Sequence, residues 1–229
     1  MCGIVGYLGT ENAVNVVMSG LARLEYRGYD SAGVSFFQDG NIITKKEEGR
    51  LVNLEKTLDL SNVSEGAIGH TRWATHGKVS RENSHPHVGE TFSLVHNGII
   101  ENASELKKSL ESEGLEFLSE TDSEVFVRLI QKQLKKKNDL KEAIVTSFKL
   151  IEGNSAFVIL DKDSKTIYGI RQNAPLVCGI NNNGSSKFIS SDPYAVAGVE
   201  TVKIETLYFP ENGVLCELSK EAGEIKLIN

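Results

Sequence analysis

The chain has 229 residues, of which 40% are apolar and 24% are charged, a composition typical of a globular protein with one substantial core. The 31 acidic residues outnumber the 25 basic ones, and the net charge of −6 disfavours a nucleic-acid-binding protein, which needs a basic face. No run approaches the roughly 18 apolar residues of a membrane span, and the first residues carry no signal-peptide pattern. We therefore expect no nucleic-acid partner, no membrane association and a cytoplasmic location.

Short apolar runs separated by glycine and polar turns predict buried β-strands along the whole chain. In chain order they cover residues 4–8, 32–37, 67–70, 92–96, 156–160, 166–170, 176–180 and 188–190. Turn-rich pieces at 161–164 and 181–184 separate the later runs, so antiparallel pairing of neighbouring strands is expected.

Helical periodicity occurs between these runs. One predicted helix has an apolar face formed by Val14, Val17, Leu21 and Leu24, and others are expected over about 104–113 and 140–151. The clearest face starts at Val125, and Thr121 with Glu124 predicts a capping box that places Asp122 in the first turn. Strands and helices do not alternate strictly, which favours packed sheets with helices outside over a doubly wound parallel sheet. Without a linker or a repeat, residues 1–229 are interpreted as one domain.

The three cysteines have no metal-binding or disulfide spacing. Cys178 and Cys216 lie in apolar strand-like segments and are interpreted as inert core residues. Only the initiator precedes Cys2. If Met1 is removed, the freed α-amine, with a pKa of about 7.7–8.0, can take the thiol proton directly or through one water. One residue would then supply both nucleophile and base, although a cysteine at the second position is by itself a weak signal.

Several longer strings make that signal specific: CGIVGYLG at 2–9, YRGYDSAG at 26–33, GHTRWATHG at 69–77, NSHPH at 83–87, HNGIIEN at 96–102 and SETDSE at 119–124. Together they resemble the glutaminase domain of the glutamine:fructose-6-phosphate amidotransferase family, also called the glucosamine-6-phosphate synthase family. CGIVG alone indicates only the wider class of amidotransferases with an N-terminal cysteine. RWATHG followed by SHPH and HNG is more specific to the sugar-phosphate branch.

The resemblance implies an α+β fold, a four-layer α/β/β/α sandwich of the N-terminal-nucleophile hydrolase type. It implies that Cys2 attacks the side-chain amide of glutamine, giving a thioester and ammonia, and that water then releases glutamate. The side-chain amide of Asn97 and the backbone N–H of Gly98 would hold the oxyanion. Neither a cofactor nor a metal is implied.

The same resemblance assigns the binding of glutamine. Arg72 would grip the α-carboxylate and Asp122 would take the α-ammonium, although a surface ion pair and a favourable helix start are the ordinary interpretations of such residues. Segment 72–80 would close over the substrate, with Trp73 shielding the site. Further substrate contacts are assigned to Thr75, His76 and His85. Arg27 is interpreted either as a residue that positions the amino terminus or as part of a helix exit with Gly28 in the left-handed conformation.

The family implies a sugar-phosphate isomerase part, as a domain or a subunit, that makes the acceptor site and lies outside these 229 residues. It also allows a homodimer formed through that part. Three alternatives stay open. The first is a zinc hydrolase using His85 and His87, disfavoured by the lack of an HExxH helix and by Pro86 between the two histidines. The others are a glutamine-sensing module without turnover and the glutaminase part of another class II amidotransferase, such as the purine-pathway enzyme or asparagine synthetase.

Overall fold

The computed structural model describes residues 2–59, 61, 63–73, 78–197, 199, 202–221 and 223–228. The strands are β1 Gly3–Gly9, β2 Ser31–Gln38, β3 Asn41–Glu48, β4 Gly66–Arg72, β5 His87–Val88, β6 Phe92–Gly98, β7 Ser155–Asp161, β8 Ile167–Gln172, β9 Val177–Ile180, β10 Ser186–Ser190, β11 Thr206–Tyr208, β12 Leu215–Leu218 and β13 Lys226–Ile228. The α-helices are α1 Ala13–Leu24, α2 Leu51–Glu55, α3 Ala103–Ser112, α4 Asp122–Lys137 and α5 Leu140–Phe148.

The strands form two sheets. The first sheet has the order β11-β9-β10-β1-β4-β2-β3, and the second has the order β13-β12-β8-β7-β6-β5. Neighbouring strands within both sheets pair antiparallel, as the turn-rich connections predicted. Each of the eight predicted strands is present, with bounds that differ by a few residues.

Three apolar clusters define the layers. The first packs α1 and α2 on the outer face of the first sheet and includes Val17, Leu21, Leu54 and Val34. The second packs α3, α4 and α5 on the second sheet and includes Leu110, Phe126, Ile144 and Phe157. The third lies between the sheets and includes Ile4, Ile68, Val95, Val158 and Ile189. The order is therefore helix, sheet, sheet, helix, which confirms the expected four-layer sandwich.

The central strands read as continuous apolar runs because both of their faces are covered. In β1 every residue from Gly3 to Gly9 is buried, and the same holds for β4 and β7. A strand with one solvated face would instead alternate apolar and polar residues. Within the described part of the chain, no helix is long and apolar enough to cross a membrane.

The capping box predicted for α4 is wrong, although the helix does begin at Asp122. Thr121 occupies the N-cap position with an extended backbone, but its side chain makes no capping bond; its Oγ1 lies 3.0 Å from Nε2 of His87. Glu124 accepts the backbone N–H groups of Leu118 and Ser119 at 2.9 and 2.6 Å. Both side chains therefore satisfy buried partners outside the helix end, and these tertiary contacts replace the local reciprocal pair.

Other elements depart from the sequence-based expectations at exposed positions. Helix α5 ends at Phe148 rather than near 151, and β3 was not predicted because its side chains are mostly half-buried or exposed at a sheet edge. Gly28 follows a short 3₁₀ turn, Glu25–Arg27. Its φ of 99° is positive, but its ψ of 157° is extended, so it does not take the left-handed helical conformation proposed for it.

Candidate active site

A cavity of about 360 Å³ opens where β4 and β6 end and where β1 and α4 begin. Six predicted site residues line it: Cys2, Arg72, Trp73, His85, Gly98 and Asp122. Asn97 stands beside it, and its Nδ2 donates to the backbone oxygen of Cys2 at 3.1 Å. Thr75 and His76 lie outside the described residues. The structure thus gathers seven of the nine predicted residues at one place.

Cys2 directly precedes β1, and its thiol faces the backbone of Trp73. The N–H of Trp73 donates to Sγ at 3.2 Å, while the carbonyl oxygen of the same residue lies 3.7 Å from Sγ. Burial raises the pKa of the Cys2 thiol above its ordinary value, and the hydrogen bond from Trp73 opposes that rise only in part. The thiol is consequently protonated at neutral pH and needs a base before it can attack.

Asn97 and Gly98 are the last two residues of β6. His70 Nε2 lies 3.0 Å from Asn97 Oδ1, so the amide oxygen points towards His70 and the amide nitrogen towards Cys2. Gly98 has a φ of 125°, and a Cβ at this position would overlap the carbonyl oxygen of Asn154. Only glycine fits this close approach between β6 and the turn before β7.

The cavity contains one predicted cation and one predicted anion. Arg72, at the end of β4, is only 5% exposed, and its Nη1 donates to the backbone oxygen of Lys78 at 3.3 Å. Asp122 is the first residue of α4, and its Oδ2 accepts the backbone N–H of Ile100 at 2.8 Å. A guanidinium can bind a carboxylate in a bidentate manner, and a carboxylate accepts several donors at once. The cavity can therefore hold a zwitterion.

Trp73 and His85 form further parts of the cavity wall. The indole of Trp73 is 51% exposed and lies over Gly28, where any Cβ would overlap its ring. His85 is buried, and its Nε2 lies 2.9 Å from Ser123 Oγ. Of these two side chains, that of Trp73 is the one open to solvent.

The four described histidines form a buried group at the cavity, and two of them, His85 and His96, line it. The ring centroids of His70 and His85 are 4.2 Å apart, and those of His85 and His87 are 4.7 Å apart. His96 contacts the hydroxyls of Ser123 and Ser155 at 2.9 and 3.2 Å.

The imidazole rings of this group are uncharged at neutral pH. Burial lowers the pKa of His70 to about 3 and that of His96 to about 4, and it holds the pKa values of His85 and His87 well below the usual range. Within the described residues, no group of three or more metal-ligating side chains is arranged to hold an ion.

Sequence reasoning missed several residues of this arrangement. His96, Thr121 and Ser123 are among the unpredicted residues that line the cavity, and His70 contacts Asn97. A signal for His70 does exist. It lies two residues before Arg72 on β4, so both side chains point to the same face of the strand.

The fold matches solved structures over its whole length. The glutamine phosphoribosylpyrophosphate amidotransferase from B. subtilis superposes with a TM-score of 0.83 at 28% identity, covering 99% of this chain and 48% of that chain. Together with two facing antiparallel sheets and a cysteine directly before β1, this likeness defines the fold as that of an N-terminal-nucleophile hydrolase.

The family model described as "Glutamine amidotransferase domain" matches residues 70–197, and the chain belongs to this family. Two curated relatives are named glutamine--fructose-6-phosphate aminotransferase [isomerizing]. The one from Clostridium tetani is 48% identical over 86% of this chain, and the one from Aquifex aeolicus is 42% identical over 98% of it. The chain spans only 32% and 37% of the lengths of these relatives.

Proposed function

We propose that this chain is the glutaminase part of an amidotransferase of amino-sugar synthesis. It would hydrolyse L-glutamine to glutamate and ammonia, and the ammonia would serve the conversion of fructose 6-phosphate to glucosamine 6-phosphate. One observation carries the proposal: a single cavity of about 360 Å³ is lined by Cys2, Arg72 and Asp122. Membership of the glutamine amidotransferase domain family and the names of the curated relatives support the same conclusion.

Recognition of glutamine follows from its charges. The α-carboxylate pairs with Arg72 and the α-ammonium pairs with Asp122, so the side-chain amide extends towards Cys2. Trp73 covers the bound substrate from the solvent side. Thr75, His76 and His85 complete the polar contacts in this proposal.

The reaction requires removal of Met1, because only a free α-amine at Cys2 has the basicity to take the thiol proton. The thiolate attacks the δ-carbon of glutamine, and the Asn97 amide and the Gly98 N–H hold the oxyanion. When the intermediate collapses, the C–N bond breaks and the amine's proton leaves with ammonia. Water, deprotonated by the same amine, then attacks the thioester, and glutamate departs as the thiol reforms.

The acceptor chemistry requires a partner. The relatives are named as isomerizing aminotransferases, and this chain corresponds to about a third of their length, which supports a sugar-phosphate isomerase domain or subunit as that partner. A homodimer formed through the isomerase part belongs to the same proposal. Without this part, the ammonia escapes to solvent and no glucosamine 6-phosphate forms.

Intact mass before and after incubation with 6-diazo-5-oxo-L-norleucine, an alkylating glutamine analogue, tests the nucleophile. We expect a starting mass without Met1, a single adduct on Cys2, and glutamate release that ends once the adduct is complete. Cys178→Ala is the matched control, since Cys178 is buried between the sheets and should leave both readouts unchanged. Cys2→Ala should abolish both.

The other outcomes separate the alternatives. Tight glutamine binding without an adduct or turnover would replace the enzyme with a sensing module. Turnover that survives Cys2→Ala would overturn the proposed nucleophile. Formation of glucosamine 6-phosphate by the chain alone would contradict the requirement for an isomerase partner.

A further inference from the structure

We infer that His70 is a positioning residue that fixes the side-chain amide of Asn97 in the orientation needed to hold the oxyanion. The inference rests on the proposed function, because it gives His70 a role only through the role proposed for Asn97. His70 itself is not among the residues that line the cavity.

Two hydrogen bonds determine which atom of Asn97 faces Cys2. Nε2 of His70 lies 3.0 Å from the backbone oxygen of His96 and 3.0 Å from Oδ1 of Asn97. A carbonyl oxygen can only accept, so Nε2 carries the hydrogen and donates to both oxygens. The NH₂ group of Asn97 is then directed to the Cys2 side, where it donates at 3.1 Å. If the amide were flipped, the NH₂ group of Asn97 would face the Nε2–H of His70, and two donors would meet.

The environment of the ring holds this single tautomer. Nδ1 of His70 is buried and has no hydrogen-bond partner among the described residues, so a proton there would remain unsatisfied. Burial also lowers the pKa of His70 to about 3, which keeps the ring neutral at any pH used for assay. The donor therefore stays on Nε2 throughout the working range.

His70 also connects the two sheets at the site. It lies on β4 of the first sheet and pairs in register with Ile4 of β1, two residues after Cys2. Both of its acceptors lie on β6 of the second sheet. The same side chain thus joins the sheet that carries the nucleophile to the strand that carries the oxyanion donor.

Kinetics of glutamine hydrolysis by His70→Leu and His70→Gln test the assignment. Leucine removes the donor, whereas the glutamine side chain offers an N–H near the position of Nε2. We expect His70→Leu to lower kcat on the order of 10- to 100-fold, with KM changed by less than about twofold. His70→Gln should recover most of the lost rate. Rates are normalised to the folded fraction measured by circular dichroism.

A double-mutant cycle with Asn97→Ala shows whether His70 acts through Asn97. Once Asn97 is truncated, adding His70→Leu should change kcat by less than about twofold, because the amide to be oriented is gone. The matched control is His87→Leu, which removes another buried imidazole, one whose Nε2 contacts Thr121 rather than Asn97. It should leave kcat near the parent value.

Three results would overturn the inference. The first is an unchanged kcat in His70→Leu. The second is an equal decrease in kcat when His70→Leu is added to the parent and to Asn97→Ala. The third is a decrease in kcat in His87→Leu as large as that in His70→Leu. If Asn97→Ala alone leaves kcat unchanged, the proposed oxyanion role fails and the inference fails with it. If Asn97→Ala lowers kcat while His70→Leu does not, only the inference fails.

Discussion

At the scale of single residues, Gly98 meets two separate requirements. Its φ of 125° is a conformation that L side chains rarely adopt, and a Cβ would overlap the carbonyl oxygen of Asn154. The first requirement is local and the second depends on the approach of the turn before β7. Substitution should therefore cost more here than at a glycine that has only a positive φ.

Gly98→Ala tests this difference. We expect it to lower the free energy of unfolding by more than about 2 kcal/mol and to reduce glutamine hydrolysis, because β6 must shift at the proposed oxyanion site. Gly114→Ala is the matched control: φ is 85° there, but no atom lies within 4 Å of the added Cβ. Gly114→Ala should lower the free energy of unfolding by only about 1 kcal/mol and leave turnover intact. Equal decreases in the free energy of unfolding for the two variants, measured with urea, would refute the steric argument.

The sequence identified residues that line the cavity better than it identified the residues that support them. Cys2, Arg72, Gly98 and Asp122 stand in short strings whose residue types suggest their chemistry, and six of the predicted residues line one cavity. The contact of His70 with Asn97 joins residues 27 positions apart on different sheets. No local pattern encodes such a contact, since it depends on how the sheets pack.

At the scale of secondary-structure elements, Glu124 stabilises the loop before α4 rather than the helix end. It is buried, accepts the N–H groups of Leu118 and Ser119, and pairs with Arg128 at 2.5 Å. Burial raises its pKa, but these donors outweigh that effect, and the pKa is lowered overall. The carboxylate therefore adds stability at neutral pH that is lost as pH falls through its folded pKa.

Glu124→Ala should lower the free energy of unfolding by about 2–3 kcal/mol, because it leaves two backbone donors and a guanidinium without their partner. Glu142→Ala is the control. It also removes a glutamate from the first turn of a helix. The Glu142 side chain is 58% exposed, and its ion pair with Lys137 is long at 3.4 Å. Glu142→Ala should lower the free energy of unfolding, measured by chemical denaturation, by no more than about 0.5 kcal/mol. Similar values for both variants would show that Glu124 acts only through the helix dipole.

Three of the strands that sequence patterns missed share a physical cause. β3 and β11 lie at the two edges of the first sheet and expose much of their surface, and the short β13 is the edge of the second. Edge strands lack the double-sided burial that gave β1 and β7 their apolar runs. The capping box failed for the opposite reason, because buried tertiary partners replaced a local motif.

At the scale of the whole molecule, the four buried histidines link stability to pH. Their folded pKa values lie below the ordinary value of about 6.5, so between about pH 6.5 and 4 the unfolded chain binds more protons than the native one. Stability must then fall as pH decreases through this window, since each extra proton in the unfolded state costs about 1.4 kcal/mol per pH unit.

Urea midpoints measured at about pH 7.5, 6 and 5 test this linkage, and we expect a steep decrease below about pH 6.5. His87→Gln removes one titrating ring from the buried group. It should reduce the difference in bound protons between the unfolded and folded chains by about one, which makes the decrease in stability with pH shallower. Equal midpoints at all three pH values would mean that the unfolded and folded chains bind the same number of protons.

The layer order could be predicted because strands and helices do not alternate strictly, which favours packed sheets with helices outside, and because the family resemblance implies a four-layer sandwich. The strand order could not. β1 lies between β4 and β10, and its pairing of Val5 with Ser190 joins residues 185 positions apart. No sequence pattern indicates which strands pair at that separation, so the strand order and register are known only from the structure.

The strand order also has a consequence for protein synthesis. Every residue proposed to touch glutamine lies within the first 122 positions, but β1 is flanked by β10 and β6 by β7, both of which are translated later. A nascent chain on the ribosome thus carries all of the residues proposed to react or bind well before either sheet is complete. The proposed hydrolysis of glutamine therefore requires that Ser190 has emerged from the exit tunnel, because β10 is the last strand to pair with β1.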